Sequence, residues 1–278
     1  MLISNLINNN YVAAIDDEGN EVVVMGTGIG YGAQKGSYIP DEKIKKIYVI
    51  NNSNTIRDIK GLFQNISEDC FQVCGEIIDY TKKKLNTELN PNLYVTLTDH
   101  VNYTIIRNAQ GIRIENPMIE EIKLFYPNEY AIGKYAVSLV KNKLGVDLGE
   151  DEAGFIAFHI VNAEANTTMH TTMKVTKLVK TALAMIEDFF GIKIQNETIN
   201  FSRLITHLQF IANSVLSKKH SASKTDVFNN TIKNAFSEEN DCSLKIADYI
   251  RANYDYELDD DELAYLTVHI SRVRERKE

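Results

Sequence analysis

The first fifty residues consist of short apolar runs separated by polar turns. Residues 10–14 and 21–25 are short segments in which apolar residues, several of them β-branched, predominate, and the acidic, glycine-containing stretch 16–20 lies between them. This pattern is typical of a β-hairpin. A further β-branched run covers residues 46–50. The pattern predicts a small all-β module of about four strands, whose limited core favours self-association.

From about residue 60 onward, the apolar residues change to helical spacing. Phe71, Ile77 and Ile78 follow this spacing at the start of the region, as one face of an amphipathic helix does. The chain has four prolines, and none follows Pro127. Because proline interrupts helices, its absence from the second half of the chain favours long helices there.

The helical region contains an internal repeat. Residues 151–159 (DEAGFIAFH) correspond to residues 261–269 (DELAYLTVH) at an offset of 110, and residues 97–101 correspond to residues 204–208 at an offset of 107. A duplicated unit of this size predicts two similar domains in tandem. The expected fold class is therefore multidomain, with a small all-β domain followed by two homologous all-α helical-bundle domains. The expected domains are residues 1–55, a linker over 56–66, then 67–170 and 171–278.

The helix that carries the end of each repeat has a similar start. Gly149 stands three residues before Glu152, and Asp259 stands three residues before Glu262. Both residues are common at helix N-caps, so this spacing predicts a capping-box-like helix start, with acidic residues in the first turn, where the helix dipole favours them.

Four of the six histidines occupy corresponding positions in the repeat, namely His100, His159, His207 and His269. Repeated histidines without repeated cysteines indicate protonation, metal binding or phosphoryl acceptance, although a duplicated fold also repeats buried histidines that only pack. No H-x-x-x-H, H-E-x-x-H or C-x-x-C spacing occurs, so no metal site is predicted. Cys70 and Cys74 are expected to be buried small hydrophobes, and His170 and His220 to lie in solvated loops.

Composition narrows the classes of protein further. The net charge of −8 argues against non-specific nucleic-acid binding. Three cysteines are too few for a disulfide framework, and no apolar run reaches the ~20 residues needed to span a bilayer. The glycine-rich stretch 26–32 lacks the Gly-Lys-Ser/Thr of a phosphate-binding loop. We therefore expect a cytoplasmic protein without membrane insertion and without a cofactor.

These features together resemble the BglG family of bacterial transcriptional antiterminators. Members have a co-antiterminator RNA-binding domain followed by two phosphotransferase-system regulation domains (PRDs). The resemblance rests on residues 8–10 with 23–31 for the RNA-binding domain, 98–100 with 151–163 for the first PRD, and 203–207 with 261–270 for the second PRD.

The resemblance implies a regulatory protein, not an enzyme, whose RNA-binding domain works as a homodimer. It would bind an RNA hairpin in a nascent leader transcript and prevent an overlapping terminator from folding. The residues implied for RNA contact are Asn8, Asn9, Asn10, Gly26, Thr27, Gly28, Tyr31 and Lys35. Backbone approach at the glycines and base stacking on the tyrosine are chemically suited to RNA.

The resemblance also implies reversible phosphorylation of the repeated histidines. A sugar-specific enzyme II would phosphorylate His100 and His159 and inhibit the protein. The phosphocarrier HPr would phosphorylate His207 and His269, which activates many members. Phosphorylation adds up to two negative charges, and the cations expected to meet them are Arg107, Arg113 and Arg203.

The chain departs from the family pattern in its glycine-rich loop. Thr27 stands where a basic residue usually follows the first glycine, and Lys35 is a single lysine where two are common. Residues 1–55 contain four lysines and six acids, a net charge of −2.

An alternative function is that of a PRD-containing sensor that acts through protein or DNA contacts, with a weakened RNA module. DNA binding would need helix-turn-helix segments, and residues 1–60 show no helical period. A histidine-based metalloprotein is a third class.

Overall fold

The N-terminal module is a four-stranded antiparallel sheet. In the computed structural model, the residues described are 1–7, 11–26, 28–44, 46–49, 66–219 and 226–274. The strands are β1 (Leu2–Leu6), β2 (Tyr11–Ile15), β3 (Glu21–Met25) and β4 (Lys46–Val49), in sequence order across the sheet. The predicted hairpin is confirmed as β2–β3, where Ile15 pairs with Glu21. The Asp16 side chain accepts backbone hydrogen bonds from Glu18 and Asn20 and so fixes the turn.

The described remainder of the chain is helical. Its helices are α1 (Glu68–Leu85), α2 (Leu93–Ala109), α3 (Ile119–Phe125), α4 (Pro127–Leu144), α5 (Glu150–Glu164), α6 (Met169–Phe190), α7 (Ile199–Ser217), α8 (Asp226–Ala235), α9 (Ser237–Tyr254) and α10 (Asp260–Arg274). The predicted fold class, a small β domain followed by two helical bundles, is confirmed.

The sheet has a core on each of its two faces. One face buries a cluster that includes Val12, Val22 and Val24. On the other face, Tyr11 and Val23 pack with Phe71 of α1. The rings of Tyr11 and Phe71 lie edge to face, 4.6 Å apart. The alternation of side chains along each strand therefore places the module against the first helical repeat.

The first repeat is built around α1, α2, α4 and α5. Its core includes Cys74, Ile77, Leu97 and Ile156. The prediction that both cysteines of α1 are buried is confirmed. Helices α4 and α5 approach closely at Gly133, where an added Cβ would overlap the backbone carbonyl of Ala153.

We expect Gly133→Ala to destabilise the protein by about 1–3 kcal/mol, because the new methyl group forces the two backbones apart. In a helix without a close neighbour, replacing glycine with alanine stabilises the fold by roughly 0.5–1 kcal/mol. The sign of the change in unfolding free energy therefore tests whether the backbones of α4 and α5 are in close contact. Urea unfolding followed by circular dichroism measures it. Ser138→Ala, at an exposed position of the same helix, is the control and should change the unfolding free energy little. Stabilisation by Gly133→Ala would contradict the prediction.

The second repeat comprises α6 to α10. Thr168 and Thr198 cap α6 and α7 through side-chain hydrogen bonds from the backbone of Thr171 and Phe201. The prediction that His170 lies in a loop is wrong, because this capping starts α6 at Met169, although His170 is exposed. His220 lies outside the described residues.

The chain divides into two compact units. The first comprises residues 1–119 and 126–167, and the second comprises residues 120–125 and 168–278. The expected boundary between residues 170 and 171 falls in the first turn of α6 and stays a prediction. Among the described helices, none combines the length and the apolar character that a bilayer crossing demands.

Candidate functional site

Each helical repeat places its two candidate histidines side by side. His100 of α2 and His159 of α5 have ring centroids 4.8 Å apart. His207 of α7 and His269 of α10 have ring centroids 4.9 Å apart. All four rings are partly buried, so each pair lies where the helix packing meets solvent. The repeated histidines thus form two pairs with the same arrangement.

An aromatic residue supports each pair. The ring of Phe155 lies 6.0 Å from that of His100, and the ring of Tyr265 lies 6.2 Å from that of His207. Both aromatic residues stand four positions before the second histidine of their pair and therefore share its helix face. The aromatic ring covers one side of the first histidine in each pair, so a phosphoryl donor or another molecule can reach that imidazole from fewer directions.

The first pair is held by a buried carboxylate, that of Glu152. Atom Nε2 of His100 lies 2.9 Å from Oε2 of Glu152. The Thr104 hydroxyl donates to the same oxygen at 3.3 Å, and Nη2 of Arg107 pairs with the other carboxylate oxygen. The Glu152 side chain is only 2% exposed. Three polar side chains therefore compensate a charge that burial alone would make costly.

The pKa of Glu152 reflects these contacts. Burial by itself raises that pKa, but the hydrogen bonds and charges of His100 and Arg107 more than offset it, and the pKa lies below its ordinary value. Glu152 is therefore a carboxylate at neutral pH.

The corresponding carboxylate of the second repeat, Glu262, has different partners. Its Oε2 accepts a hydrogen bond of 3.0 Å from the backbone of Asp259, and the side chain of Asp259 accepts one of 2.8 Å from the backbone of Glu262. The Tyr256 hydroxyl donates to Oε1 of Glu262 at 3.4 Å. This is the capping box that the spacing predicted, and it is confirmed here.

In the first repeat the helix also starts where predicted, with Gly149 as its N-cap and acidic residues in its first turn, but the reciprocal hydrogen bonds of a capping box are absent. Gly149 has no side chain that could accept the reciprocal hydrogen bond, and Glu152 turns to His100 and Arg107 instead. At the offset of 107, the second repeat has Ile211 and Ser214 where the first has Thr104 and Arg107. The side chains that draw Glu152 toward the histidine are therefore missing around Glu262.

The second pair has cations nearby. Burial, followed by the charges of Arg272 and Arg203, lowers the pKa of His269. Two buried ring atoms, Nε2 of His207 and Nδ1 of His269, have no hydrogen-bond partner among the described residues.

Of the three cations expected from the sequence, Arg107 and Arg203 lie near a histidine pair. Arg113 lines a small cleft together with Arg107 and Glu152.

Burial keeps two of the rings neutral. Burial, followed by the charge of His100, lowers the pKa of His159 to about 3. Burial and then the charge of His269 lower the pKa of His207 to about 4, against an opposing hydrogen bond to the backbone of Glu262. A neutral imidazole retains a ring lone pair, which nucleophilic attack requires. Both rings are therefore in the protonation state that accepts a phosphoryl group.

The candidate RNA-contacting residues that the structure describes lie in the loop between β3 and β4. Gly26 must be glycine, because an added Cβ would overlap the carbonyl oxygen of Lys43. Gly28 has a φ of +65°, which favours glycine. The Tyr31 side chain is 78% exposed, and Lys35 is exposed as well. Asn8, Asn9, Asn10 and Thr27 lie outside the described residues.

Comparison with known proteins covers almost the whole chain. Residues 1–57 match the model of the CAT RNA binding domain, and residues 75–163 and 180–273 each match that of the PRD domain. The chain is 40% identical over 273 residues to the transcription antiterminator LicT of Bacillus subtilis, covering 98% of this chain and 99% of LicT. It is 34% identical over 274 residues to the beta-glucoside operon antiterminator of Dickeya chrysanthemi, covering 99% of this chain and 97% of that protein.

The chain belongs to the BglG family of transcriptional antiterminators. The crystal structure of GlcT CAT-PRDI agrees with this assignment, with 32% identity and a TM-score of 0.54 over 59% of this chain and 98% of that one. The β module is accordingly the CAT domain, and the two helical repeats are the first and second PRD.

Two residues of this BglG-family chain were not singled out by its sequence. Its position near a helix start indicates a capping role for Glu152, but Glu152 also stands seven positions before His159, as Glu262 stands before His269. Seven residues make two helical turns, so this spacing was the available signal that glutamate and histidine share a face. Tyr38, with 70% of its side chain exposed, adds a second exposed aromatic residue beyond β3, and no pattern marked it.

Proposed function

We propose that this antiterminator acts as a cytoplasmic homodimer on an RNA hairpin in a leader transcript, and that phosphorylation of its four repeated histidines controls it. The observation that carries the proposal is the pairing of histidine rings, 4.8 Å apart in one PRD and 4.9 Å apart in the other. Packing alone does not require two partly solvent-exposed imidazoles at the same place in both repeats. Reversible phosphoryl acceptance does require accessible imidazoles.

The donors proposed are a sugar-specific enzyme II for His100 and His159, which inhibits, and HPr for His207 and His269, which activates. In each transfer a P–N bond forms on the receiving ring while the bond between phosphorus and the phosphorylated side chain of the donor breaks. The new phosphoryl group brings up to two negative charges close to the neighbouring imidazole. Arg203 and Arg272, which already lower the pKa of His269, supply positive charge for it in the second PRD.

The RNA contacts proposed are the eight residues named from the sequence. A glycine loop that lets the backbone approach closely, with the exposed Tyr31 beside it, suits a base splayed out of an RNA helix. A two-fold dimer would present this loop twice to one hairpin.

The proposal is tested with the full chain and the leader hairpin of the adjacent operon in a gel shift. Phosphorylation by HPr alone should strengthen hairpin capture, and addition of the enzyme II should weaken it. Hairpin binding that ignores both donors, with no phosphohistidine formed, would refute the control mechanism.

Thr27→Arg should tighten hairpin binding, because arginine supplies the cation that this loop lacks relative to its family. One added phosphate contact steepens the dependence of log K on log salt by roughly one unit. Gel shifts over a series of salt concentrations measure it. Thr27→Gln, which adds length without charge, is the control. Unchanged or weaker binding by Thr27→Arg would show that this loop contacts RNA in another way.

A second candidate function has one observation in its favour. Residues 1–55 carry a net charge of −2, which opposes binding to a polyanion. A sensor that acts through protein contacts alone would account for that charge, whereas DNA contacts would meet the same electrostatic opposition as RNA contacts. Failure of both the wild-type protein and Thr27→Arg to bind any leader hairpin would favour this second candidate.

A further inference from the structure

The two PRDs differ in what holds their first histidine. In the first PRD, the buried carboxylate of Glu152 contacts Nε2 of His100 at 2.9 Å. Arg107 and Thr104 contact the same carboxylate and fix its position. In the second PRD, the corresponding Glu262 caps its own helix, and Nε2 of His207 has no partner among the described residues. This difference bears on phosphoryl chemistry, because the hydrogen bonds of an imidazole decide which nitrogen carries the proton.

A carboxylate only accepts hydrogen bonds, so the nitrogen that faces it must be the one bearing hydrogen. In a neutral His100 ring, Nε2 therefore carries the proton and Nδ1 carries the free lone pair. Glu152 is well fixed for this role, since it is 2% exposed and paired with Arg107. The His100 side chain retains 19% exposure, which leaves the ring open to a donor.

We propose that Glu152 is a positioning residue that holds His100 with its proton on Nε2 and thereby makes Nδ1 the nitrogen that accepts the phosphoryl group. The accepting role rests on the proposed function, whereas the position of the proton does not. The second PRD lacks this arrangement, so the two domains present chemically different histidines to their donors.

The transfer step balances without loss of a proton from His100. The lone pair of Nδ1 attacks phosphorus, a P–N bond forms, and the electron pair of the bond broken at phosphorus leaves with the donor side chain. The His100 ring gains positive charge while Nε2 keeps its hydrogen, and that hydrogen faces the Glu152 carboxylate. A carboxylate that orients a histidine and stabilises its charged form plays the same part in serine proteases, where its loss costs about 10⁴-fold in rate.

The tautomer is measured directly by long-range proton–nitrogen NMR on the full chain at alkaline pH, with the His100 signals assigned by comparison with His100→Asn. We expect Nε2 of His100 to be protonated in the wild-type protein. Glu152→Gln should shift His100 to a mixture of tautomers, because an amide can donate as well as accept. Glu262→Gln removes a carboxylate at the equivalent position and should leave the His100 spectrum unchanged. A proton on Nδ1 of wild-type His100, or an identical spectrum in Glu152→Gln, overturns the proposal.

If Glu152→Gln fails to fold, the wild-type spectrum still decides the tautomer. Glu152→Asp then serves as the second variant, since it keeps the charge for Arg107 but draws the carboxylate back from His100.

The accepting nitrogen is measured by phosphorus NMR after phosphorylation by the enzyme II, because phosphoryl groups on Nδ1 and Nε2 have different chemical shifts. We expect the His100 phosphoryl group on Nδ1 and a transfer rate onto His100 that falls on the order of tenfold or more in Glu152→Gln but not in Glu262→Gln. A phosphoryl group on Nε2 overturns the proposal. Absence of any phosphohistidine overturns the proposed function instead, and the tautomer spectrum then decides alone whether Glu152 holds the ring.

Discussion

Replacing both His207 and His269 with alanine is expected to reduce phosphoryl transfer from HPr by at least about a hundredfold, to background. The imidazole nitrogens are the nucleophiles of the proposed transfer, and alanine offers none in their place. Each single variant should keep partial labelling, since the remaining ring stays in its position on α7 or α10. Incubation of the full chain with radiolabelled HPr, followed by electrophoresis, measures the incorporated phosphate.

His170→Ala is the matched control for this experiment. His170 is an exposed histidine of the same unit, in the first turn of α6, and it lies in neither pair. Its replacement should leave labelling unchanged. Full labelling of the double variant would show that HPr uses another residue, and the assignment of this pair to HPr would then be lost.

The residue pattern of the sequence predicted the order of strands and helices, but it did not predict which histidines contact each other. The alternation in β2 and β3 and the acidic turn between them predict a hairpin locally, because strand period and turn chemistry are properties of neighbouring residues. His100 and His159 are 59 residues apart, and only the packing of α2 on α5 brings their rings together. The repeat indicated that the histidines correspond, but correspondence says nothing about distance.

Glu152 and Glu262 show where local reasoning stops. Both stand three residues after a residue that can occupy a helix N-cap, but only Asp259 has a side chain able to accept the reciprocal hydrogen bond. The outcome differs because Asp259 has a carboxylate for the reciprocal bond and Gly149 does not. It differs also because Arg107, from another helix, faces Glu152. Residues from other helices thus decide whether a glutamate at this position caps its own helix or forms a hydrogen bond with a neighbouring histidine.

Gly26 gives a similar lesson. Its sequence context, a glycine-dense loop, suggests several uses for backbone freedom. The structural requirement at this position is the carbonyl of Lys43, 17 residues further along the chain. No short-range pattern encodes that close approach.

The buried histidines should make the protein sensitive to acid. The pKa values of His159 and His207 are lowered to about 3 and about 4 in the folded chain, whereas an unfolded histidine has a pKa near 6.5. Between these values the unfolded chain binds protons that the folded chain does not, so folding stability falls as the pH falls below about 6.5. At about pH 5, each of these histidines should cost about 2 kcal/mol relative to neutral pH.

His159→Gln tests this by removing one titrating ring while keeping a polar side chain of similar reach. Urea unfolding of the full chain at several pH values, followed by far-ultraviolet circular dichroism, gives the stability of each variant. The chain contains no tryptophan, so circular dichroism is the natural probe. We expect the loss of stability between neutral pH and about pH 5 to be smaller in His159→Gln than in the wild-type protein by about 2 kcal/mol.

The comparison between variant and wild type matters more than the wild-type curve alone, because Glu164 acts in the opposite direction. Burial and the neighbouring Glu129 raise the pKa of Glu164 to about 7, so the folded chain takes up that proton first and gains stability as the pH falls. Glu164 is present in both proteins and cancels in the difference. His170→Gln, at an exposed position, should leave the pH dependence unchanged. Parallel stability curves for His159→Gln and the wild type would mean that the ring of His159 is solvated and protonates freely. The lone pair required for phosphoryl acceptance would then be absent at mildly acidic pH.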